Sequence, residues 1–359
     1  MILIHRVIGQ NTLQHIPMAV RFQTGKRDEQ EMRRKLEEEF SSLVNTEAYN
    51  KCVTIINNGE EESRKRGLTY FDTICENILN LSELPSTIRI MDFGGGTGTP
   101  ISAICKTLQA LNKDVIVSVE EPHVESLQKY KKCIENLENA TVDVAFSGRF
   151  QDYFGKSVEE LKSIGAYPEE QQDRVLALHS MYHLTRWLDD FCDPQEDIKR
   201  AVFVMYTILK PGGMILIQIN SGDIAFIWNT AVHCFKICFP NEAVNLTKVA
   251  EARSSLLFQG EIAGILNESF PTFKASIWHE EARCDFVIPS LAEVGALVLS
   301  TYFHGWADDT SKFDHRILSF CMDFVQREGS KYGLSQEEDG MWRMSNVTHF
   351  ITIKKVKAD

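Results

Sequence analysis

The stretch IRIMDFGGGTGTP, residues 88–100, places a short apolar run directly before a cluster of glycines. An apolar run of this length that ends in turn residues is typical of a buried strand, here 88–93. Three of the glycines form the pattern G-x-G-x-G, namely Gly94, Gly96 and Gly98. Glycine allows the backbone to turn sharply and to approach a ligand closely. Because residues 100–112 have a helical pattern, the stretch predicts a strand, a ligand-binding loop and a helix in that order.

The same alternation continues outward along the chain. Short apolar segments predict four further strands, at 114–119, 141–146, 173–179 and 214–220. Amphipathic patterns predict helices between them, at 123–137 and 193–209. In the tail we expect a strand at 273–278, a helix at 290–303 and a terminal strand at 349–354. This order predicts an α/β fold with a mostly parallel sheet, covered on both faces and finished by an antiparallel hairpin.

The chain before the sheet reads differently. Residues 28–48 predict an amphipathic helix, 49–58 a shorter apolar segment, and 68–81 another helix. The first 27 residues contain no Asp or Glu, but they contain four basic residues, Arg6, Arg21, Lys26 and Arg27. This composition is compatible with a mitochondrial presequence or with a variable, poorly ordered extension. We expect the extension.

Composition and charge restrict the function. Of 359 residues 43% are hydrophobic and 25% are charged, which is ordinary for a globular chain. The net charge of −12 argues against a nucleic-acid partner, and no apolar run is long enough to span a membrane. The nine cysteines form no CxxC pair, which favours reduced thiols in a cytoplasmic protein. We expect a monomer that acts on a small molecule and needs no metal.

The loop and the second strand indicate the kind of cofactor. A dinucleotide fingerprint would need Gly or Ala where Thr99 stands, and no Gly-Lys-Ser/Thr follows to make a phosphate-binding P-loop. Glu121 follows the second strand, 23 residues after Gly98, where a carboxylate can accept hydrogen bonds from ribose hydroxyls. Lys-Pro-Gly-Gly precedes the fifth strand, at 210–213. Together these features resemble the class I methyltransferases, which have a Rossmann-like sheet and use S-adenosylmethionine.

Several segments are also similar to the histamine N-methyltransferase family, namely 119–122, 128–131, 136–139 and 179–183. The similarity extends from about residue 49 to residue 353. It implies a donor site that includes Gly94, Gly96, Glu121 and Leu178. Ser126 and Phe150 fall where that family places polar donor contacts, but their side chains differ from the family's Gln and Ser.

The resemblance also implies a site for a small amine. Glu62 and Asn346 match the family's substrate-binding carboxylate and amide, and Tyr49, Tyr182 and Trp228 match aromatic walls of its pocket. His179 and His183 replace an amide and an aromatic residue, and either imidazole is a candidate proton acceptor. Each position has a simpler explanation: Glu62 lies in a charge run, Asn346 in a turn, and the aromatic residues in a core.

These features predict one methyltransferase domain over 28–359. Its cofactor core would span about 86–220, its substrate lid 28–85 and 221–345, and its terminal strand 346–355. The expected reaction is in-line transfer of a methyl group from S-adenosylmethionine to a small amine, possibly histamine or a related imidazole amine. Three alternatives remain: another nitrogen or oxygen acceptor on the same fold, an inactive donor-binding scaffold, and a dehydrogenase.

Overall fold

The computed structural model describes residues 26–68, 78–168, 170–178, 180–184, 193–220, 226–241, 243–303 and 311–358. The predicted extension therefore lies outside the described residues, apart from Lys26 and Arg27. The main sheet has seven strands in the order β3-β2-β1-β4-β5-β10-β6. These strands are β1 Thr87–Phe93, β2 Asp114–Glu120, β3 Ala140–Phe146, β4 Gln172–Leu178, β5 Leu209–Asn220, β6 Phe273–Arg283 and β10 Val347–Lys357.

The strand directions confirm the predicted fold class. β1 to β5 pair in parallel, and β10 lies antiparallel between β5 and β6. β1 has β2 on one side and β4 on the other, so the strand order reverses there. In open α/β sheets, ligands bind at such a reversal, in the crevice outside the carboxyl ends of the strands. The glycine loop that follows β1 opens into this crevice.

The described helices cover both faces of the sheet and extend beyond it. They are α1 Lys26–Phe40, α2 Asn45–Lys65, α3 Thr99–Ala110, α4 Val124–Glu135, α5 Val158–Ser163, α6 Pro194–Ile208, α7 Phe226–Cys238, α8 Ala243–Arg253, α9 Glu261–Ser269, α10 Leu291–Phe303 and α11 Arg316–Glu328. A second sheet has the order β7-β9-β8, with β7 Phe286–Ile288, β8 Leu334–Gln336 and β9 Trp342–Met344.

Alternating residues of the central strands fill two separate cores. Ile90 packs in a core that includes Ile101 of α3 and Leu127 of α4. Met91, its neighbour in β1, packs on the opposite face in a core that includes Met205 of α6. Because side chains alternate across a strand, an apolar run that is buried on both faces is what a central parallel strand needs.

A third core holds a separate layer, which we call the cap: α1, α2, α7, α10 and α11 with the small sheet β7–β9. Its buried side chains come from both ends of the chain, including Phe40, Cys52, Phe235, Leu297 and Phe324. Gly59 of α2 packs so closely on β7 that an added Cβ would lie 2.3 Å from Cδ1 of Ile288. The cap therefore joins the chain's first helices, α1 and α2, to segments that lie much later in the chain.

The N-terminal helices differ from the prediction. A single helix over 28–48 was wrong, because the chain breaks after Phe40 and α2 runs without interruption from Asn45 to Lys65. The break coincides with long-range backbone pairing: the Asn45 N–H donates to the Ser311 carbonyl at 3.0 Å, and the Phe313 N–H donates to the Leu43 carbonyl at 3.1 Å. The predicted segment 49–58 and the charge run after it are thus parts of one helix. Most of the helix predicted at 68–81 lies outside the described residues.

Among the described helices, none combines the length and apolarity that crossing a membrane requires. The described cysteines are free thiols, and most of them are buried.

Candidate donor and acceptor site

The glycine loop is held against the end of β2. The N–H groups of Gly94 and Gly95 donate to the Glu120 carbonyl at 2.9 and 3.1 Å. Gly94, Gly96 and Gly98 have φ angles of +68°, +57° and +82°. Residues other than glycine adopt this region of backbone conformation only at a cost in free energy. An added Cβ on Gly94 would lie 2.3 Å from Cβ of Ser180, whereas one on Gly96 would meet no atom within 4 Å. Gly96 therefore faces open space, in which a ligand can approach the backbone.

Three buried carboxylates surround this loop. Glu121 accepts hydrogen bonds from the N–H of Gly96 at 2.8 Å and of His123 at 2.9 Å. Glu120 accepts from the Gly94 N–H at 3.0 Å, and Asp92 accepts from the Tyr130 hydroxyl at 3.0 Å. Asp92, Glu120 and Glu121 are only 3%, 2% and 5% exposed. The sequence indicated Glu121, but the positions of Asp92 and Glu120 in the same cluster were missed, although Glu120 ends β2 and Asp92 is the next-to-last residue of β1.

Burial and mutual repulsion raise the pKa values of these carboxylates. Burial, and to a lesser extent the Glu121 charge, raises the pKa of Asp92 to about 7 although Tyr130 donates to it. Burial and the Glu121 charge raise the pKa of Glu120 well above its usual range. Burial also raises the pKa of Glu121, against the lowering effect of its two backbone hydrogen bonds. Such a site suits a ligand that offers hydroxyl donors or positive charge.

The other predicted donor residues lie around the same edge. Leu178 ends β4 and is buried, and Ser126 lies half-buried in the first turn of α4. Phe150 stacks on Phe93 with ring centroids 4.1 Å apart and planes 9° apart. One face of the Phe150 ring is thus covered by the core, so only the remainder of the ring is left for a ligand.

Tyr49 of α2 lies near Glu121. Burial raises the pKa of Tyr49, and the Glu121 charge raises it further. Its ring also meets Phe303 edge to face, with centroids 6.1 Å apart. The cap thus reaches the donor end of the crevice through α2.

Tyr182 and Trp228 flank Arg253, a residue that the sequence analysis did not select. The guanidinium carbon lies 5.1 Å from the Tyr182 ring centroid and 4.8 Å from the Trp228 ring centroid. Arg253 is 2% exposed, and burial lowers its pKa to about 10, so the side chain stays charged at neutral pH. The structure brings the two predicted aromatic walls together, but with the protein's own cation between them.

Asn346 is fully buried just before β10. Its backbone is held by Cys284, whose N–H donates to the Asn346 carbonyl at 3.0 Å, and by Asp285. Within the described part of the chain, neither polar atom of its side chain has a hydrogen-bond partner. The same holds for Ser180 Oγ after β4 and Gln218 Oε1 near the end of β5. Buried polar atoms without partners are rare, and several at the carboxyl edge of one sheet are explained by a ligand or ordered water.

Glu62 lies at the opposite end of α2 from Tyr49. The two residues are thirteen positions apart in the sequence, which corresponds to about 20 Å along the axis of a helix. The Glu62 carboxylate pairs with Arg66 at 2.8 Å, and Arg66 also pairs with Asp339 at 2.8 Å. The next residue, Ser63, accepts from the Val287 N–H of β7 at 2.9 Å. The structure therefore does not bring Glu62 and Tyr49 together, and it places Glu62 beside the small sheet.

The two predicted proton acceptors cannot be located. His179 and the side chain of His183 lie outside the described residues. The backbone of Met181–Leu184 forms one 3₁₀ turn, which carries Tyr182.

No family model matches the chain, and no curated protein matches it either. Among similar solved structures, the YcgJ protein from Bacillus subtilis is 10% identical, covers 81% of this chain and 99% of its own, and has a TM-score of 0.43. A SAM-dependent methyltransferase from Geobacter sulfurreducens, solved with S-adenosyl-L-homocysteine, is 14% identical, with coverage of 79% and 91% and a TM-score of 0.40. The plantazolicin methyltransferase BamL is 13% identical, with coverage of 91% and 99% and a TM-score of 0.38.

These TM-scores and identities are low, so the strand order of this chain, and not the likeness, defines its fold. Nothing in the comparisons supports the finer resemblance to histamine N-methyltransferases.

Proposed function

We propose that this protein is an S-adenosylmethionine-dependent methyltransferase that acts on a nitrogen of a small-molecule acceptor. The observation that carries the proposal is the position of Glu121, a buried carboxylate bonded to the Gly96 N–H at the point where the strand order reverses. A nucleoside fits there because its ribose hydroxyls can donate to the carboxylate. The dehydrogenase alternative is disfavoured, because Thr99 stands where a dinucleotide fingerprint has Gly or Ala.

Glu121 is already oriented for ribose. Its Oε2 accepts from Gly96 and its Oε1 accepts from His123, so each oxygen keeps a free lone pair for a hydroxyl. The open space at Gly96 leaves room for the ligand. Gly94 and Gly98 would shape the rest of the loop, with Leu178, Ser126 and the edge of the largely buried Phe150 ring at its borders.

When bound, the donor supplies a methyl group activated by the adjacent sulfonium. The residues of this chain have to hold the acceptor nitrogen in line with that group and keep water out, and such orientation lowers a barrier by several kcal/mol. We assign the holding role to Tyr49, Tyr182, Trp228 and Asn346. Glu62 lies about 20 Å along α2 from Tyr49, so as a candidate contact it could meet only the far end of an elongated amine. His179 or His183 would accept the proton from the nitrogen.

Two measurements test the proposal. Calorimetry with S-adenosylhomocysteine and with NAD should show binding of the first compound only. A screen of small amines with isotopically labelled donor, with histamine among them, should show transfer of the label to nitrogen. Tighter binding of NAD than of S-adenosylhomocysteine would refute the donor site. Donor binding without transfer to any acceptor would favour an inactive scaffold.

A further inference from the structure

Arg253 is a buried cation with free hydrogen-bonding capacity. It ends α8, and the chain continues directly into a π-helical turn at Ser254–Phe258. Turns of this rare type are frequently found at functional sites. Within the described part of the chain, no carboxylate pairs with Arg253, and its Nη1 has no hydrogen-bond partner. Among the described residues, the contacts of its guanidinium are with two aromatic faces, those of Tyr182 and Trp228.

Two other buried cations differ from Arg253 because backbone carbonyls accept hydrogen bonds from them. The Arg174 guanidinium donates to the carbonyl of Leu79 at 2.8 and 3.1 Å and to that of Asp173 at 2.9 Å. The Lys355 ammonium donates to the carbonyls of Tyr206 at 2.9 Å and Leu209 at 2.8 Å. These bonds offset the cost of burying the charge. Arg253 has no such acceptors among the described residues, and cation–π contacts offset only part of the cost.

The position of Arg253 is that of an acceptor-binding residue. Tyr182 follows β4, and Trp228 lies in α7, the helix that follows β5. The first residue of α7, Phe226, donates its N–H to the Ser345 carbonyl at 3.2 Å, one residue before the unpartnered Asn346 side chain. Arg253 therefore lies at the edge of the sheet where ligands bind, beside the residues assigned above to the acceptor.

We infer that Arg253 binds a carboxylate of the methyl acceptor, so that the acceptor is an amino acid or a similar small carboxylate-bearing amine. The inference rests on the proposed methyl transfer. A guanidinium presents a planar fork that matches a carboxylate with two parallel hydrogen bonds. The single positive charge balances a monoanion, whereas a phosphate dianion would leave excess negative charge in a buried site.

This inference changes the role of the aromatic pair. Tyr182 and Trp228 were expected to form walls of the pocket for a small amine, but one face of each ring is already occupied by Arg253. The acceptor nitrogen has to be uncharged to attack a methyl group. The rings would then serve to position the Arg253 guanidinium, and the guanidinium would bind the carboxylate of the acceptor.

The test compares matched acceptors with and without a carboxylate. Histidine is compared with histamine, and tyrosine with tyramine, using labelled donor and the thermal shift that each compound causes in the protein saturated with S-adenosylhomocysteine. We expect at least one pair in which the carboxylate-bearing member has a KM about tenfold or more below that of its partner. In Arg253→Met this preference should disappear, while the Kd for S-adenosylhomocysteine changes less than about twofold.

Two further variants keep the result interpretable. Lys355→Met removes a buried cation outside the site, and it should lower Tm without changing the preference. Arg253→Lys keeps the charge but loses the planar fork, so it should reduce the preference for the carboxylate only in part. This variant replaces Arg253→Met in the test if Arg253→Met does not fold. The inference is overturned if the wild type binds S-adenosylhomocysteine and methylates amines without preferring the carboxylate, or if Arg253→Met retains the preference. Absence of donor binding would instead defeat the proposed function itself.

Discussion

The Glu121 carboxylate accepts a hydrogen bond from the Gly96 N–H at 2.8 Å and thereby joins the end of β2 to the glycine loop that follows β1. This contact orders the loop before any ligand arrives. In the proposed function the same side chain would also accept hydrogen bonds from the ribose hydroxyls of the donor, so it would both maintain the loop and recognise the nucleoside.

Glu121→Gln should weaken donor binding strongly. The substitution removes the charge and turns one acceptor oxygen into an NH₂ group, which faces a backbone N–H. We expect the Kd for S-adenosylhomocysteine to rise about 10- to 100-fold, because hydrogen bonds to charged groups contribute about 1.5–3 kcal/mol. Calorimetry measures this change. Glu125→Gln, on the exposed side of the same segment, is the control and should bind like the wild type.

Gly96→Ala should separate backbone strain from ligand exclusion. Gly96 and Gly155 have similar φ angles of +57° and +70°, and neither has an atom within 4 Å of an added Cβ. Alanine at either position should therefore cost about 1–2 kcal/mol of stability. Only Gly96→Ala should also weaken binding of S-adenosylhomocysteine, measured by calorimetry. Equal donor affinity in both variants would show that the loop does not contact the donor.

Asp92 should make the ligand-free protein less stable as the pH rises. Its pKa is about 7 in the folded protein and 3.8 in the unfolded chain, so between these values the folded state keeps a proton that the unfolded state has lost. Stability from this group is complete below about pH 4 and is lost as the pH approaches 7, a change on the order of a few kcal/mol.

Asp92→Asn should flatten this dependence, which urea unfolding at pH 5 and pH 8 measures. Part of the slope should remain, because Glu120 and Glu121 also have raised pKa values. The exposed Asp114 provides a control, since Asp114→Asn should leave the slope as it is. An unchanged slope in Asp92→Asn would contradict the burial argument.

Asn346→Leu should stabilise the protein and impair catalysis. Both polar atoms of this buried side chain lack partners among the described residues, so an apolar residue of similar size should raise the free energy of unfolding by about 1 kcal/mol. Acceptor turnover should fall if the amide holds the acceptor. Asn139 serves as the contrast, because its amide donates to the carbonyls of Cys105 and Lys113. Asn139→Leu should lower stability and leave the acceptor KM unchanged.

Glu62→Ala tests the remaining predicted contact. If Glu62 holds part of an amine, its loss should raise KM for that amine far more than it changes donor affinity. Glu61 is the matched control, since it pairs with Lys65 as Glu62 pairs with Arg66, each at 2.8 Å. An equal loss of both affinities, or the same effect in Glu61→Ala, would remove Glu62 from the site.

The sheet could be predicted because each strand is an apolar run next to an amphipathic helix, and such patterns are local. The break between α1 and α2 could not, because it depends on pairing with residues 311–313, far along the chain. The strands of the small sheet have three residues each, too few for a periodic signal. Arg253 was missed for a related reason: in the sequence it is one Arg in a helical segment, and only the tertiary packing buries it between two rings.

The position of β10 has a consequence for biosynthesis. This strand, formed by residues 347–357, lies inside the sheet, with β5 on one side and β6 on the other. While the chain emerges from the ribosome, β5 therefore has an open edge until residues 347–357 have been made. Exposed edges of that kind favour aggregation. We expect nascent chains of this protein to depend on chaperones until β10 inserts, and a chain that ends before Val347 to be insoluble.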